Sequence, residues 1–170
     1  MGSKIKDIIR IDNYTLQQSK KAASVYGCSE LTALAIFALC EDHTSKNLND
    51  ITPDFERSQL KVGGCVYHVH VARRSTSDLK DHYDCAVSTK ALRNIRKSPY
   101  ERLLFLSYCE DDGLLTIAGE ITVSRFLRCS TSYSIENPMR NDSGNPVTMH
   151  GPVLACHIDD LKLYEGYDIA

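Results

Sequence analysis

The hydrophobic pattern of this chain switches between a helical and an alternating rhythm, and each switch marks an element. Residues 31–40 are apolar at nearly every position, interrupted by Thr32, and a helix apolar on almost every side belongs in a core. Ser29 stands where a cap is needed, which predicts a helix over 30–41. Before it, residues 14–26 are rich in helix formers, with Thr15 as the expected N-cap and Gly27 as the stop. The polar stretch 43–50 reads as a loop. Residues 59–62 and 65–71 are β-favouring runs flanking Gly63-Gly64, which predicts a hairpin with a tight primed turn. In the second run Cys65, Tyr67, Val69 and Val71 point one way, while Val66, His68 and His70 point the other.

Farther along, 83–87 predicts a short strand. Ser88 or Thr89 then caps a helix to about residue 97, with Ala91, Leu92 and Ile95 at helical spacing and Pro99 ending it. The apolar runs 103–109 and 114–118, joined by Glu110-Asp111-Asp112-Gly113, predict a second hairpin. Thr122 caps a short helix through residue 128 that buries Phe126 and Leu127. Residues 130–152 are loop-like, broken by Asn137-Pro138, Ser143-Gly144-Asn145-Pro146 and Gly151-Pro152. A last strand over 153–158 precedes an acidic tail. With no internal repeat and no linker, the 170 residues fit a single α/β domain. A central mixed sheet of four to five strands flanked by helices is expected.

Composition narrows the setting. The longest apolar run is about half of what a bilayer-crossing helix needs, and the first residues carry no apolar stretch behind their positive charges, so no membrane association or secretory signal is expected. Seven cysteines stand singly at 28, 40, 65, 85, 109, 129 and 156, with no CxxC pair. An odd, scattered set within apolar runs points to reduced thiols and a cytoplasmic location. The net charge of -2 excludes a globally basic nucleic-acid binder. A local basic face is left open by Arg73, Arg74, Lys90, Arg93, Arg96 and Lys97. Lys90, Arg93 and Lys97 would share one helix face; such a set suits phosphate contacts with DNA or RNA, or else is a solvated face.

One constellation carries candidate chemistry: Pro53-Asp54 in a predicted loop, followed by Tyr67-His68-Val69-His70-Val71-Ala72-Arg73 on a predicted strand. It resembles the PD-(D/E)XK nuclease family, in which an Asp and an (Asp/Glu)-x-Lys pair on a β-hairpin form the active site. Pro53-Asp54 matches the first element, and His68-Val69-His70 falls where Glu-x-Lys would stand. The segment Ile117-Ala118-Gly119-Glu120-Ile121-Thr122 with Arg125-Phe126-Leu127 is similar to a strand-to-helix ending of phage and bacterial members. The resemblance covers about 28–128, leaves 130–170 as a C-terminal loop and strand, and implies a restriction-endonuclease-like fold.

In the intact motif two carboxylates hold a hard divalent ion that activates water. Here Asp54 is the surviving carboxylate, and imidazole suits transition metals better than Mg²⁺. Three readings of the histidine pair stand side by side. The scaffold has lost its chemistry and acts by binding nucleic acid or a protein partner, as a phage accessory or virion component would. Alternatively Asp54, His68 and His70, with Glu30 or Glu56 as a further ligand, hold a divalent metal (Mg²⁺, Mn²⁺ or Zn²⁺) in a remodelled nuclease site. Or the two histidines merely share the outer face of a strand.

Overall fold

The computed structural model describes residues 7–48, 50–74, 85–140, 144–147 and 149–167. The chain opens with β1 (Ile8–Arg10) and α1 (Asn13–Tyr26). The N-cap of α1 is Asp12, whose Oδ1 accepts from Thr15 N at 2.8 Å, so the helix starts earlier than the Thr15 cap predicts. Thr15 lies inside the first turn on the buried side, and its hydroxyl donates to Glu41 of the next helix at 2.7 Å. Gly27 closes α1 at φ 70°, a left-handed position that favours glycine.

Ser29 caps α2 (Glu30–Ser45) as expected, but the helix runs past residue 41 and takes in part of the predicted loop. The reason is His43, only 1% exposed, whose Nε2 lies 3.1 Å from the Tyr164 hydroxyl and whose ring stacks on Tyr167. The C-terminal segment thus supplies the partners that make a polar helix end worth burying.

Among the described residues, six strands form the main sheet in the order β1-β7-β6-β4-β3-β2. They are β1, β2 (Ile51–Asp54), β3 (Gln59–Val62), β4 (Cys65–Arg74), β6 (Glu101–Cys109) and β7 (Leu114–Thr122). The α/β class holds, with a larger sheet than the four to five strands expected. The additions are the three-residue β1 and the edge strand β2, whose Pro53 is tolerated because it sits at a sheet edge. Neighbours are antiparallel except β4 and β6, which run parallel, with Val66 opposite Glu101 through Arg74 opposite Cys109. Both glycines of the β3–β4 turn have positive φ, 55° and 82°, as a primed hairpin requires.

The crossover from β4 to β6 carries β5 (Ala86–Ser88) and α3 (Thr89–Leu92). Tyr83 and Asp84 of the predicted 83–87 strand lie outside the described residues. Ser88 caps α3, which ends at Leu92 rather than near residue 97. Arg93, Arg96 and Lys97 crowd like charge into the following turn, and only Ile95 there packs inward, so little favours continuing the helix. After β7, Thr122 caps α4 (Val123–Cys129) as expected. The predicted loop contains β8 (Thr131–Tyr133), which joins β5 and β9 (Val153–Ala155) in a second sheet of order β5-β9-β8. A 3₁₀ turn, Ile158–Asp160, replaces the end of the predicted last strand.

Two cores result, one on each face of the main sheet. Alternate residues of β4, with Leu104, Leu106, Leu115 and Ile117, pack under α2. Leu103, Phe105, Ala118 and Ile121 pack with α4, Cys85, Val87 and Cys156 on the other face. Coverage of both faces explains why β6 and β7 read as continuous apolar runs. The expected acidic tail is not a solvated one: Leu161 and Tyr164 are buried, and Lys162 pairs with Glu120 through two backbone hydrogen bonds of 2.8 Å. Gly119 makes this approach possible, because a Cβ there would stand 2.4 Å from the Lys162 carbonyl oxygen. No helix among the described residues is long and apolar enough to cross a membrane.

Candidate functional site

The β2–β3 turn is built by the residue that the sequence singles out. Asp54 Oδ1 accepts from Arg57 N at 3.0 Å and Oδ2 from the Arg57 guanidinium at 3.1 Å, an Asx-type turn that Ser58 completes at φ 58°. Partial burial pushes the Asp54 carboxyl up, but Arg57 outweighs it and holds the group below the ordinary carboxylate range. The same pairing stations Arg57 at the rim of a cleft.

That cleft, about 600 Å³, is lined by Arg57, Ser58, Gln59, His68, His70, Asn94 and Ile95 among others. Its floor is the face of β4 that carries the histidines, and the segment after α3 forms its wall. His68 Nε2 lies 2.5 Å from Glu101 Oε2, a pairing produced by the parallel alignment of β4 with β6. Two residues on, His70 lies against Phe105, ring centroids 5.7 Å apart. Its Nε2 is buried with no hydrogen-bond partner among the described residues. Burial, and then the neighbouring His68, lower the His70 pKa to about 4, so its ring is neutral at pH 7.

Asp54, Gln59 and His68 stand in one lateral row, since Asp54 pairs with Gln59 and Gln59 with His68. Asp54 is therefore two strand spacings, roughly 10 Å, from His68. The shared face foreseen for the histidines is present, and Asp54 joins it at a distance with its carboxylate turned to Arg57. Among the described residues, the set of metal-ligating side chains whose donor atoms converge is elsewhere, at Cys129, Cys156 and Asp160. The Asp54–His68–His70 row does not fit a hard divalent ion: its one carboxylate faces a guanidinium, and one imidazole is held by Glu101. Glu30 lines a different hollow with Arg73 and Glu110, and Glu56 is exposed in the β2–β3 turn.

The basic residues divide between the two faces. Arg73 alternates with the histidines on β4 and pairs with Glu110 at 2.6 Å. Arg74 is on the histidine side of the strand, farther along. Lys90, Arg93 and Lys97 are exposed on the segment that walls the cleft, but they do not share a helix face, because α3 stops at Leu92.

Sequence reasoning missed Arg57, Gln59, Glu101 and Asn94. Glu101 was hidden because the apolar run starts at Leu103 and nothing local reveals a parallel register. Also missed is a polar network under the opposite face. Glu120, 2% exposed, binds the Arg102 guanidinium through Oε1 at 2.5 Å and the Glu165 backbone N–H through Oε2 at 3.0 Å. Burial disfavours the Arg102 charge, but Glu120 overrides it and raises the pKa. Beside it, Tyr67, Tyr164, Tyr167 and His43 pack edge-on or stacked, and the Tyr167 hydroxyl donates to Asp42 at 2.6 Å. No protein-family model, curated protein or solved structure matches the chain.

Proposed function

We propose that this chain is a binding protein on a nuclease-like, restriction-endonuclease-like scaffold, whose cleft takes a phosphate-bearing ligand, with nucleic acid as the favoured class. The observation that carries the reading is the commitment of the motif side chains to protein partners. Asp54 is held by Arg57, and His68 by Glu101. What the cleft offers outward is the exposed Arg57 guanidinium, amide side chains at Gln59 and Asn94, and exposed Lys90, Arg93 and Lys97 on the wall segment. Cations and amides suit phosphate and base edges. A host cytoplasm or a virion, as for a phage accessory component, is the setting this reading implies.

The test is fluorescence anisotropy with labelled single- and double-stranded DNA and RNA at two salt concentrations, beside cleavage assays with Mg²⁺, Mn²⁺ and Zn²⁺ and an Asp54→Ala control. Salt-dependent binding without cleavage is expected. Stoichiometric, metal-dependent cleavage that disappears in Asp54→Ala would overturn the reading, and an absence of nucleic-acid binding would redirect it to a protein partner.

One observation favours a second reading, a metal-dependent nuclease remodelled around Asp54, His68 and His70. The His70 Nε2 is buried and unsatisfied, and such a nitrogen is costly unless something binds it. This reading requires the purified chain to retain a transition metal that His70→Ala releases, and it is lost if His70→Ala leaves metal content unchanged.

A further inference from the structure

Away from the cleft, three metal-ligating side chains converge where the second sheet meets α4. Cys129 is the last residue of α4, Cys156 follows β9, and Asp160 ends the 3₁₀ turn. Their donor atoms all lie within 4.8 Å of one another. Cys156 is buried, while Cys129 and Asp160 are partly exposed, so an ion has a path in. We infer that Cys129, Cys156 and Asp160 form a site for a thiophilic divalent cation of the zinc class.

The donor set selects the metal. Two thiolates disfavour Mg²⁺ and Ca²⁺, and a carboxylate beside them suits Zn²⁺. A tetrahedral ion with bonds of about 2.0–2.3 Å sets its ligands roughly 3.3–3.8 Å apart, a spacing compatible with donor atoms that all lie within 4.8 Å of one another. Water takes the fourth position. Asp160 is already oriented, because its Oδ2 accepts from His157 N at 3.3 Å, the outer support that ligating carboxylates commonly have.

Ser130, next to Cys129 in the chain, has its hydroxyl oxygen buried with no hydrogen-bond partner among the described residues. The ion would add a second tie beside the pairing of β8 with β9, where Thr131 already stands opposite Ala155.

The test titrates the full chain, purified in reductant and freed of metal, with Co²⁺ and then Zn²⁺. One equivalent of Co²⁺ with near-ultraviolet thiolate-to-metal absorption is expected, displaced by Zn²⁺, together with a Zn²⁺-dependent rise in Tm. Cys129→Ser and Asp160→Ala weaken binding by more than the roughly 10- to 100-fold that loss of an outer-shell partner causes, whereas Cys28→Ser leaves it unchanged. Because the ligand variants could disturb folding, alkylation of the wild-type chain provides a second reading. Zn²⁺ should protect Cys129 and Cys156 selectively, as located by mass spectrometry. Absence of the absorption band, equal weakening by Cys28→Ser, or a Cys129–Cys156 disulfide that forms in air and leaves alkylation insensitive to Zn²⁺ would overturn the proposal.

Discussion

Strand β4 presents two regions of opposite character from a single alternating sequence. Tyr67 and Val69 face α2 and a sealed core, where a buried Glu120 has its partners supplied by Arg102 and the backbone of Glu165. One residue along the pleat, His68 and His70 face a cleft in which an imidazole nitrogen lacks a partner among the described residues. The difference teaches where to look for function. The Tyr67 hydroxyl on the sealed side also lacks a partner among the described residues, but it is enclosed beside Tyr164, whereas His70 lines a cavity that a ligand can enter.

The comparison breaks most severely on the sealed side. Glu120→Ala removes the main partner of a largely buried guanidinium and should cost about 3 kcal/mol, measured by urea unfolding. The cleft side has its own, pH-linked signature. His70 falls from its ordinary 6.5 to about 4 in the fold, so between these values the unfolded chain takes up a proton that the folded chain refuses. Its contribution is therefore complete above about pH 6.5 and declines as the pH falls toward 4, by on the order of 3 kcal/mol at most. Urea midpoints at pH 7.5 and pH 4.5 should differ less in His70→Leu than in the wild type.

Smaller effects sharpen the contrast. Glu101→Ala leaves His68 without its acceptor and should cost about 1–2 kcal/mol in the same unfolding assay. Arg57→Ala is the mildest for stability, within about 0.5 kcal/mol as for an exposed ion pair. Its effect should appear in ligand binding instead, as weaker affinity with a salt slope shallower by about one. An Arg57→Ala chain that binds nucleic acid as tightly as the wild type would remove that side chain from the proposed interface.

Local chemistry made part of this molecule readable. Ser29 and Thr122 announce their helices, Gly63-Gly64 announces its turn, and the strict alternation of 65–71 by itself places both histidines on one face. The elements that depend on distant partners were not readable. Helix α2 continues through His43 because Tyr164 and Tyr167 cover it. Asp54 is a turn former because Arg57 follows three residues later, a pairing as local as any cap but overlooked beside the Pro-Asp resemblance. Glu101 meets His68 only through a parallel register set by a long crossover. For the same reason the converging cysteines escaped notice, since their spacing along the chain carries no local signature.

The bridge between Lys162 and Glu120 also bears on the order of events during synthesis. The strand that holds Glu120, the helix that holds His43 and the arginine at 102 are all made before the segment that covers them. Until residues 161–167 are made, Glu120 and Arg102 lack the backbone of Lys162 and Glu165 that closes over them. The sealed face is therefore completed by a segment made after all the strands of the main sheet. A stop codon just after Asp160 would leave that face incomplete, with every strand of the main sheet present.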